Sequence, residues 1–583
     1  MTINNLYKEK GMKEMRNLTG ADIICECLIE QGVDTVFGYP GGAVLHIYDE
    51  IYKQTYFRHI LTRHEQAAVH AADGYARASG DVGVAIITSG PGFTNAITGI
   101  ATAYMDSIPL VVISGQVPIT QIGTDAFQEI DAVGISRPCT KHNYLVKDIK
   151  ELPRILKEAF YIARTGRPGP VLIDIPKDIS GTLGEFEYPE TISLRTYKPT
   201  TKGNSRQITK LIQAIHNAKR PLFYIGGGAI LSNASSLVRT LVNKTQIPAV
   251  ETLMARGSLG DDNPFLLGMV GMHGTYAANI AMSECDLLIG IGVRFDDRVT
   301  GKLSAFAKHA KIAHIDIDPS SIGKLVDVDF PIVGDVKNVL EECIATLDLY
   351  DTAKIEAWKE KLSLCARENP LIYEDSDEVI KPQWIIQQLG ELVGEKAILT
   401  TDVGQHQMWA AQFYPFSFPR QFLTSGGLGT MGYGLPAAMG AYCAMLEKNL
   451  SPKYIINISG DGSILMNIQE LMTCVEVDIP VINIILNNNY LGMVRQWQTF
   501  FYDNRFSHTD LSLQPDFVKL IESFGGYGVV VKDKKDFPKA LQQCIDSQKV
   551  CFLEVLIDRF EDVLPMVPAG GALNEMILFK KAK

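Results

Sequence analysis

The sequence predicts an α/β protein of three domains, each a doubly wound parallel sheet flanked by helices. Three observations lead to that prediction: short Val- and Ile-rich runs that end in glycine, two polar segments without strand character, and a pattern shared by the first and last thirds of the chain. A chain of 583 residues is long enough for two to four domains. Its hydrophobic content of 46% and charged content of 21% are ordinary for a globular protein.

Glycine follows the apolar runs along the whole chain. Examples are VGVAIITSGPG, LVVISGQ, LFYIGGG, LLIGIGVR and YIINISGDG. A strand, a glycine turn and then a helical pattern is typical of parallel α/β sheets. Such sheets bind ligands at the carboxyl ends of their strands, where these glycines lie.

Two polar, strand-poor segments, 185–207 and 351–382, are predicted to be linkers. They leave three blocks of similar size, which we expect to be the domains. Their predicted ranges are 13–190, 208–350 and 380–583.

The first and third blocks resemble each other. IITSGPG and DSIPLVVISG in the first correspond to IINISGDG and VDIPVINIILN in the third. From Gly90 to Pro109 is 19 positions, and from Gly460 to Pro480 is 20. The shared order and spacing predict homologous domains, one fold used twice.

Charge and cysteine usage disfavour several functions. Lys and Arg total 55 against 66 Asp and Glu, a net charge of −11 with no basic run, which disfavours nucleic acid and anionic membranes. The ten cysteines form no Cys-x-x-Cys pair and are expected to be reduced. The polar amino terminus does not resemble a signal peptide, and no apolar run approaches a membrane span. We therefore expect a cytoplasmic enzyme.

The strongest chemical signal is GDGSILMNIQELMTCVEVDIPVINIILNNN at 460–489. Asp461 lies in a glycine turn after one strand, and Asn488 follows the next strand, 27 positions later. A helical crossover brings both strand ends to one edge of the sheet. Carboxylate and amide oxygens there suit Mg²⁺, and turn N–H groups can hold phosphates. Asp-Gly alone would indicate only a turn; the full spacing favours the metal site.

This motif resembles the diphosphate motif of thiamine diphosphate (ThDP) enzymes. The resemblance extends to the catalytic subunits of acetohydroxyacid synthases, also called acetolactate synthases. The segments that carry it are VFGYPGGA, RHEQAAVHAADGYARASG, TSGPGFTN, GQVP, IGTDAFQE, GRPGPVLIDIPKD, GMHGT, RFDDRVTGKL, TSGGLGTMGYGLPAAMGA and GMVRQWQ. It implies that the first and third domains bind ThDP and that the middle one binds FAD.

Site residues follow from the resemblance. It implies Mg²⁺ ligands at Asp461, Asn488 and the backbone carbonyl of Tyr490. Met431 would be an apolar wedge that bends the cofactor, although its residue type alone favours core packing. The implied ThDP-binding residues are Glu65, Gly404, Gln405, His406, Met431, Asp461, Gly462, Ser463 and Asn488.

Glu65 lies between two histidines in TRHEQAAVHAADGYAR, which suggests a zinc peptidase. Zinc-binding histidines on one helix are four apart, whereas His64 and His70 are six apart and point about 240° from each other. One helix therefore cannot offer both to one metal. The resemblance implies instead that the Glu65 carboxylate hydrogen-bonds the aminopyrimidine N1′ of ThDP.

PLFYIGGGAI at 221–230 is a strand that runs into three glycines, which by themselves fit a plain turn equally well. The resemblance implies FAD there, and GVRFDDRVT at 292–300 is similar to the FAD-containing biosynthetic members. FAD would have no redox part in the net reaction. The implied FAD-binding residues are Arg167, Gly226, Gly227, Gly228, Met272, His273, Gly274, Thr275, Arg294, Asp316 and Asp335.

The implied substrate residues begin with Arg298, which would bind the carboxylate of the second 2-oxo acid. Spacing alone favours a surface salt bridge from Arg298 to Asp296 or Asp297. Trp497 would line the acceptor pocket and favour 2-oxobutyrate over pyruvate. The positions expected near the reacting carbons are Gly42, Phe127, Gln128 and Lys177.

The implied reaction is decarboxylation of pyruvate and transfer of the hydroxyethyl unit to pyruvate or 2-oxobutyrate, an early step in branched-chain amino acid synthesis. A pyruvate oxidase that uses ThDP and FAD is the nearest alternative, and a flavin-binding scaffold is a non-enzymatic one. The resemblance also implies a homodimer or tetramer with the active site between chains, and a separate regulatory small subunit.

Overall fold

The computed structural model describes residues 16–579, and the chain divides after Lys198 into two compact units. The polar amino terminus, residue 13 at the predicted start of the first domain, and the last four residues of the third lie outside the described residues. Within 16–579, no helix combines the length and apolar character that a bilayer crossing requires. The three domain ranges stay a prediction.

The first unit is built around a parallel sheet of six strands. The strands of the whole unit are β1 (Arg16–Thr19), β2 (Thr35–Gly38), β3 (Arg58–Leu61), β4 (Gly83–Ile87), β5 (Leu110–Gln116), β6 (His142–Leu145), β7 (Pro170–Pro176) and β8 (Leu183–Phe186). Its helices are α1 (Gly20–Glu30), α2 (Leu45–Lys53), α3 (Glu65–Ser79), α4 (Pro91–Asp106), α5 (Ala132–Ser136), α6 (Leu152–Arg164) and α7 (Lys177–Gly181). The sheet order is β3-β2-β4-β5-β7-β6, and β1 pairs antiparallel with β8.

Helix α3 packs closely against α4 because both carry small residues at their contact. His64 caps its start by accepting the Gln66 N–H at Nδ1 over 3.2 Å. Gly80 ends it with a φ of +82°, a left-handed conformation that glycine adopts without strain. A Cβ on Gly99 of α4 would lie 2.6 Å from the Cβ of Val69, so this approach requires glycine.

The second unit contains two further parallel sheets. The strands of the earlier one are β9 (Pro221–Ile225), β10 (Ala249–Glu251), β11 (Leu266–Met269), β12 (Leu287–Ile291), β13 (Lys311–Asp316) and β14 (Phe330–Val333). Its helices are α8 (Ser205–Asn217), α9 (Gly227–Leu231), α10 (Ser235–Thr245), α11 (Tyr276–Glu284), α12 (Asp297–Thr300), α13 (Val336–Thr346) and α14 (Glu356–Glu368). The order β11-β10-β9-β12-β13-β14 is that of a doubly wound dinucleotide-binding sheet.

The later sheet of this unit has the strands β15 (Ala397–Thr401), β16 (Phe422–Thr424), β17 (Tyr454–Gly460), β18 (Ile482–Asn487), β19 (Tyr527–Val531) and β20 (Cys551–Leu556). The helices around it are α15 (Pro382–Val393), α16 (Gln405–Phe413), α17 (Gly434–Glu447), α18 (Asp461–Ile464), α19 (Glu470–Glu476), α20 (Gly492–Phe501), α21 (Phe517–Phe524) and α22 (Phe537–Ser547). Its order, β16-β15-β17-β18-β20-β19, repeats that of the first sheet strand for strand. The predicted fold class, with its repeated fold, is confirmed.

The linker prediction for 351–382 is wrong over part of its length, because α14 lies within it. Trp358 and Leu362 of this helix are buried, and the Trp358 indole N–H donates to the Pro221 carbonyl over 3.1 Å. The charged runs KEK at 359–361 and ARE at 366–368 give the segment its polar character. An amphipathic helix with a narrow apolar stripe therefore packs on the middle sheet.

Candidate active site

Two neighbouring strands of the last sheet bring the predicted metal ligands to one edge. β17 and β18 are parallel, and Gly460 at the end of β17 is in register with Leu486. Asp461 follows β17 as the first residue of α18, and Asn488 directly follows β18. Both side chains are buried, at 1% and 5% exposure. The two strand ends therefore lie at one edge of the sheet, as the spacing in the sequence predicts.

The Asp461 carboxylate is held in a polar but desolvated environment. The Gln514 side-chain amide donates to Oδ2 of Asp461. Burial raises the pKa of Asp461 to about 7, although the bond from Gln514 opposes this change. A bound cation would stabilise the ionised form of this carboxylate.

The Asn488 amide is oriented by two neighbours. Its Oδ1 accepts the Tyr490 N–H over 3.0 Å, and its Nδ2 donates to Gln405 Oε1 over 3.3 Å. Within residues 16–579, no group of three or more His, Cys, Asp or Glu side chains is arranged to hold a metal ion. A cation between Asp461 and Asn488 would therefore need further oxygens, as Mg²⁺ obtains from phosphates.

All the implied ThDP residues of the second unit, together with Tyr490, line a single pocket. These are Gly404, Gln405, His406, Met431, Asp461, Gly462, Ser463, Asn488 and Tyr490. Met431 is only partly buried, unlike a core methionine, and Asn467 holds its loop by donating to the Gly432 carbonyl over 2.7 Å. The pocket thus places an apolar side chain opposite a polar strand-end loop.

His406 leaves a buried polar atom of this pocket available to a ligand. Its Nε2 is buried with no hydrogen-bond partner among the described residues, and burial lowers the pKa of the ring to about 3. Buried polar atoms of this kind are normally satisfied by a ligand or by water. Gly404 and Gly460 let the backbone approach the ring, since a Cβ would lie 2.7 Å from Cε1 at the first and 3.0 Å from Nδ1 at the second.

Trp497 lines a cavity of about 650 Å³ beside this pocket. Met493 and Val494, from the first turn of α20, line both the cavity and the pocket. Tyr502 and Arg505, which follow α20 in the sequence, also line the cavity. An acceptor molecule in this cavity would therefore share a wall with the implied cofactor.

Arg298 lies in the short helix α12, with 61% of its side chain exposed. Its Nε is 3.8 Å from Asp297 Oδ2, a distance at the outer limit of an ion pair. The surface salt bridge that spacing favoured is therefore weak, and the guanidinium remains accessible to a carboxylate.

Glu65 is the first residue of α3, with 8% exposure. The Asn95 side chain donates to Glu65 Oε2 over 2.9 Å, and a Cβ on Gly92 would lie 3.2 Å from Oε1. Asn95 is the last residue of TSGPGFTN, and neither its residue type nor the resemblance predicts a role for it. Asn95 is three residues after Gly92 and so lies on the same face of α4. Because Gly92 also approaches Glu65, this spacing is the signal that identifies Asn95 as the partner of Glu65.

The two histidines near Glu65 have local roles. His64 is the helix cap, and His70 is buried with its Nε2 3.4 Å from the Gln66 side-chain nitrogen. Burial lowers the pKa of His70 to about 3. Neither arrangement supports a zinc site, in agreement with the sequence geometry.

The other implied residues of the first unit lie beyond strand ends of its sheet. Gly42 follows β2 and Lys177 directly follows β7. Gln128 has a φ of +60°, and the Cβ position of Gly90 is 2.9 Å from its Cα. Phe127 beside it is 87% exposed. Glycine at position 90 thus allows the Gln128 loop to approach the TSGPG turn.

The middle sheet carries most of the implied FAD residues after its strands. Gly226 to Gly228 follow β9, Met272 to Thr275 precede α11, and Arg294 follows β12. Asp316 ends β13 and is 8% exposed, whereas Asp335 caps α13 and accepts from the Ser232 hydroxyl over 3.0 Å. This edge of a doubly wound sheet is where dinucleotides bind.

Gly226 and Gly228 are also required by packing, because each lies too close to Gly292 to carry a side chain. A Cβ on Gly226 would lie 2.2 Å from the Gly292 carbonyl oxygen, and one on Gly228 would lie 2.7 Å from the Gly292 Cα. A Cβ on Gly227 would be only 3.1 Å from that of Met254. Arg167 lies in the first unit, where its Nε donates to the Ser107 hydroxyl over 2.8 Å.

Comparison with known families matches the chain in three parts. Residues 18–135 match the N-terminal TPP binding domain of thiamine pyrophosphate enzymes, residues 208–343 the central domain, and residues 402–555 the C-terminal TPP binding domain. TPP is the same cofactor as ThDP. The central range contains all the strands of the middle sheet, whereas the first range ends before β6 and β7 and the third begins after β15.

Relatives that match over nearly the full length of the chain are described as acetolactate synthase large subunits. The acetolactate synthase large subunit of Haemophilus influenzae is 48% identical over 97% of this chain and 99% of its own. The acetolactate synthase isozyme 3 large subunit of Escherichia coli is 47% identical over the same shares. A probable acetolactate synthase large subunit of Methanocaldococcus jannaschii is 48% identical over 96% of this chain and 95% of its own.

Replacing Asp461 by Asn tests the desolvation of the pocket. The pKa of the Asp461 carboxyl is 3.8 ordinarily and about 7 in the folded chain. Between these two pH values the folded chain keeps a proton that the unfolded chain releases. The free energy of unfolding therefore falls as the pH rises from 3.8 to about 7. Without ligands, Asp461→Asn should therefore be more stable than the parent at pH 8, by roughly 2–4 kcal/mol, and equal to it near pH 3.5.

Thermal unfolding across that pH range measures the effect. Asp516→Asn is the control, because the carboxyl of Asp516 is exposed and hydrogen bonds lower its pKa. This control should gain no stability at pH 8. A gain for Asp461→Asn that does not change with pH would contradict the prediction.

Proposed function

The chain belongs to the thiamine pyrophosphate enzymes and, among them, to the acetolactate synthase large subunits, and we propose that it condenses two 2-oxo acids in that role. It would decarboxylate pyruvate and transfer the hydroxyethyl unit to pyruvate, giving 2-acetolactate, or to 2-oxobutyrate, giving 2-aceto-2-hydroxybutyrate. The observation that carries the proposal is the pocket in which Asp461, Asn488, His406 and Met431 meet. Relatives described as synthases do not favour the oxidase alternative.

ThDP, when bound, supplies a carbon nucleophile for the pyruvate carbonyl and accepts the electron pair left by CO₂. We propose that Glu65 holds a hydrogen bond to the aminopyrimidine ring and thereby controls the protonation of its amino group. Asn95 keeps the carboxylate in place through Oε2. Met431 would support the bent form of the cofactor, and His406 with the Gly460–Ser463 turn would bind the diphosphate.

We propose Mg²⁺ at Asp461, Asn488 and the Tyr490 carbonyl, and FAD at the strand ends of the middle sheet. The buried carboxylate and the oriented amide support the first assignment. The glycine turns and the dinucleotide-type strand order support the second. Arg298 would bind the acceptor carboxylate, while Gly42, Phe127, Gln128 and Lys177 would line the approach to the reacting carbons.

We also propose a cytoplasmic homodimer or tetramer with the active site between chains. A separate regulatory small subunit is a further proposed partner, because the relatives are described as large subunits.

One assay tests the proposed function directly. The purified protein is incubated with pyruvate, ThDP, Mg²⁺ and FAD, with and without an electron acceptor, and acetolactate is measured. We expect acetolactate in both samples. Acetate that forms only with the acceptor, in the absence of acetolactate, would instead identify the oxidase alternative.

Glu65→Gln should lower acetolactate formation by about 100-fold or more, because a neutral amide cannot exchange a proton with the ring. Exchange of the C2 hydrogen of bound ThDP, followed by NMR, should slow in parallel, while the unfolding midpoint changes little. Glu158→Gln is the matched control. Glu158 is also buried, but it is distant from Glu65 in the sequence and accepts hydrogen bonds from Tyr144 and Arg154. Undiminished C2 exchange in Glu65→Gln would remove Glu65 from this role.

Trp497→Leu should lower the preference for 2-oxobutyrate over pyruvate by at least about fivefold, because one methylene in an apolar pocket contributes roughly 1–3 kcal/mol. Competition between the two acceptors, with both products quantified, measures the ratio. Phe500→Leu is the control, because Phe500 is on the same helix and is not among the residues that line the cavity. An unchanged product ratio in Trp497→Leu would contradict the assignment.

A further inference from the structure

The segment from Thr509 to Gln514 is bound to the loop that carries two of the proposed metal ligands. The Leu491 N–H donates to the Thr509 carbonyl over 2.9 Å, and the Leu511 N–H donates to the Asn489 carbonyl over 2.8 Å. Between these bonds, Tyr490 lies opposite Asp510 in an antiparallel bridge. This pairing brings the side chain of Gln514 to the strand-end edge.

The orientation of the Gln514 amide follows from its neighbours. Asn487 Nδ2 donates to Gln514 Oε1 over 2.8 Å and to Glu554 Oε1 over 2.7 Å. Because Asn487 offers two N–H groups and uses both, the oxygen of Gln514 must face Asn487 and its NH₂ group must face Asp461. That NH₂ group donates to Asp461 Oδ2.

The same asparagine also shapes the metal loop. Asn487 Oδ1 accepts the Asn489 N–H over 3.0 Å, and Asn489 has a φ of +55°. Asn487 is 4% exposed and Glu554 is 8% exposed, so these bonds are protected from water. One buried amide therefore connects the loop of Asn488 to the partner of Asp461.

We propose that Gln514 is a positioning residue for the metal carboxylate. By donating to Oδ2 it restricts rotation of the Asp461 carboxylate and would leave Oδ1 available to a cation. Asn487 and Glu554 hold Gln514 in the orientation that this requires. Partners of this kind orient metal ligands in many proteins, and their loss weakens metal binding by about 10–100-fold. The inference rests on the proposed Mg²⁺ site.

Gln514→Met tests it, because methionine has similar length and cannot form either hydrogen bond. Intrinsic fluorescence reports binding, since Trp409 lines the cofactor pocket. The Mg²⁺ concentration that half-saturates the fluorescence change with excess ThDP should rise about tenfold. The kcat at saturating Mg²⁺ should change less than this half-saturating concentration, and the unfolding midpoint without ligands should fall, because Asp461 and Asn487 each lose a hydrogen bond.

Gln542→Met is the matched control, because Gln542 also donates to an aspartate, Asp546, but on the exposed face of α22. It should leave the half-saturating Mg²⁺ concentration unchanged. If Gln514→Met does not fold, Gln514→Asn, which keeps the amide one methylene short of Asp461, is expected to give the same shift.

The possible results distinguish a failure of the proposed function from a failure of the proposed role of Gln514. Parent protein without Mg²⁺-dependent ThDP binding would contradict the proposed function itself. Parent protein that binds normally, with Gln514→Met showing an equal half-saturating Mg²⁺ concentration, would overturn only the role of Gln514. A reduced maximal signal with a lowered unfolding midpoint and no shift in half-saturation would also overturn it, because that pattern indicates a purely structural residue.

Discussion

The parallel pairing of β17 with β18 is the constraint on which the cofactor pocket depends. Residues 27 positions apart meet because the two strands end in register at one edge of the sheet. That edge is desolvated by the helices on both faces, so every polar group there needs a partner or a ligand. Asp461 meets this requirement through Gln514, and Asn488 meets it through Gln405 and Tyr490. One ring nitrogen of His406 has no hydrogen-bond partner among residues 16–579.

The same strand order in the first and last sheets presents different residues in its turns. In the last sheet the turn after the third strand is GDG, and it presents a carboxylate. In the first sheet the equivalent turn is SGPG, which contacts the Gln128 loop and leads into the helix that carries Asn95. The carboxylate of the first unit comes instead from the start of α3. One topology thus offers different chemistry according to which strand-end residue is polar.

Much of this arrangement could be predicted from the sequence, because buried parallel strands are long apolar runs and their turns need glycine. The motif at 460–489 also implied its own geometry, since a crossover of that length joins adjacent strands. The helix at Glu356–Glu368 was missed because its apolar stripe is only a few residues wide. Asn95 and Gln514 were not assigned because a single amide in a loop or helix has no periodicity. Gly226 and Gly228 were noted as a ligand signal, but their contact with Gly292 depends on a strand neighbour that the sequence does not reveal.

Met493 and Val494 line both the pocket that contains Asp461 and the cavity that contains Trp497. A substitution at either position that reshapes one of these spaces therefore also alters the surface of the other. Variation at these two positions is therefore pleiotropic. Trp497, Tyr502 and Arg505 line the cavity without lining the pocket. Under the proposed assignment of this cavity to the acceptor, specificity can therefore diverge at that second group while the cofactor pocket is conserved.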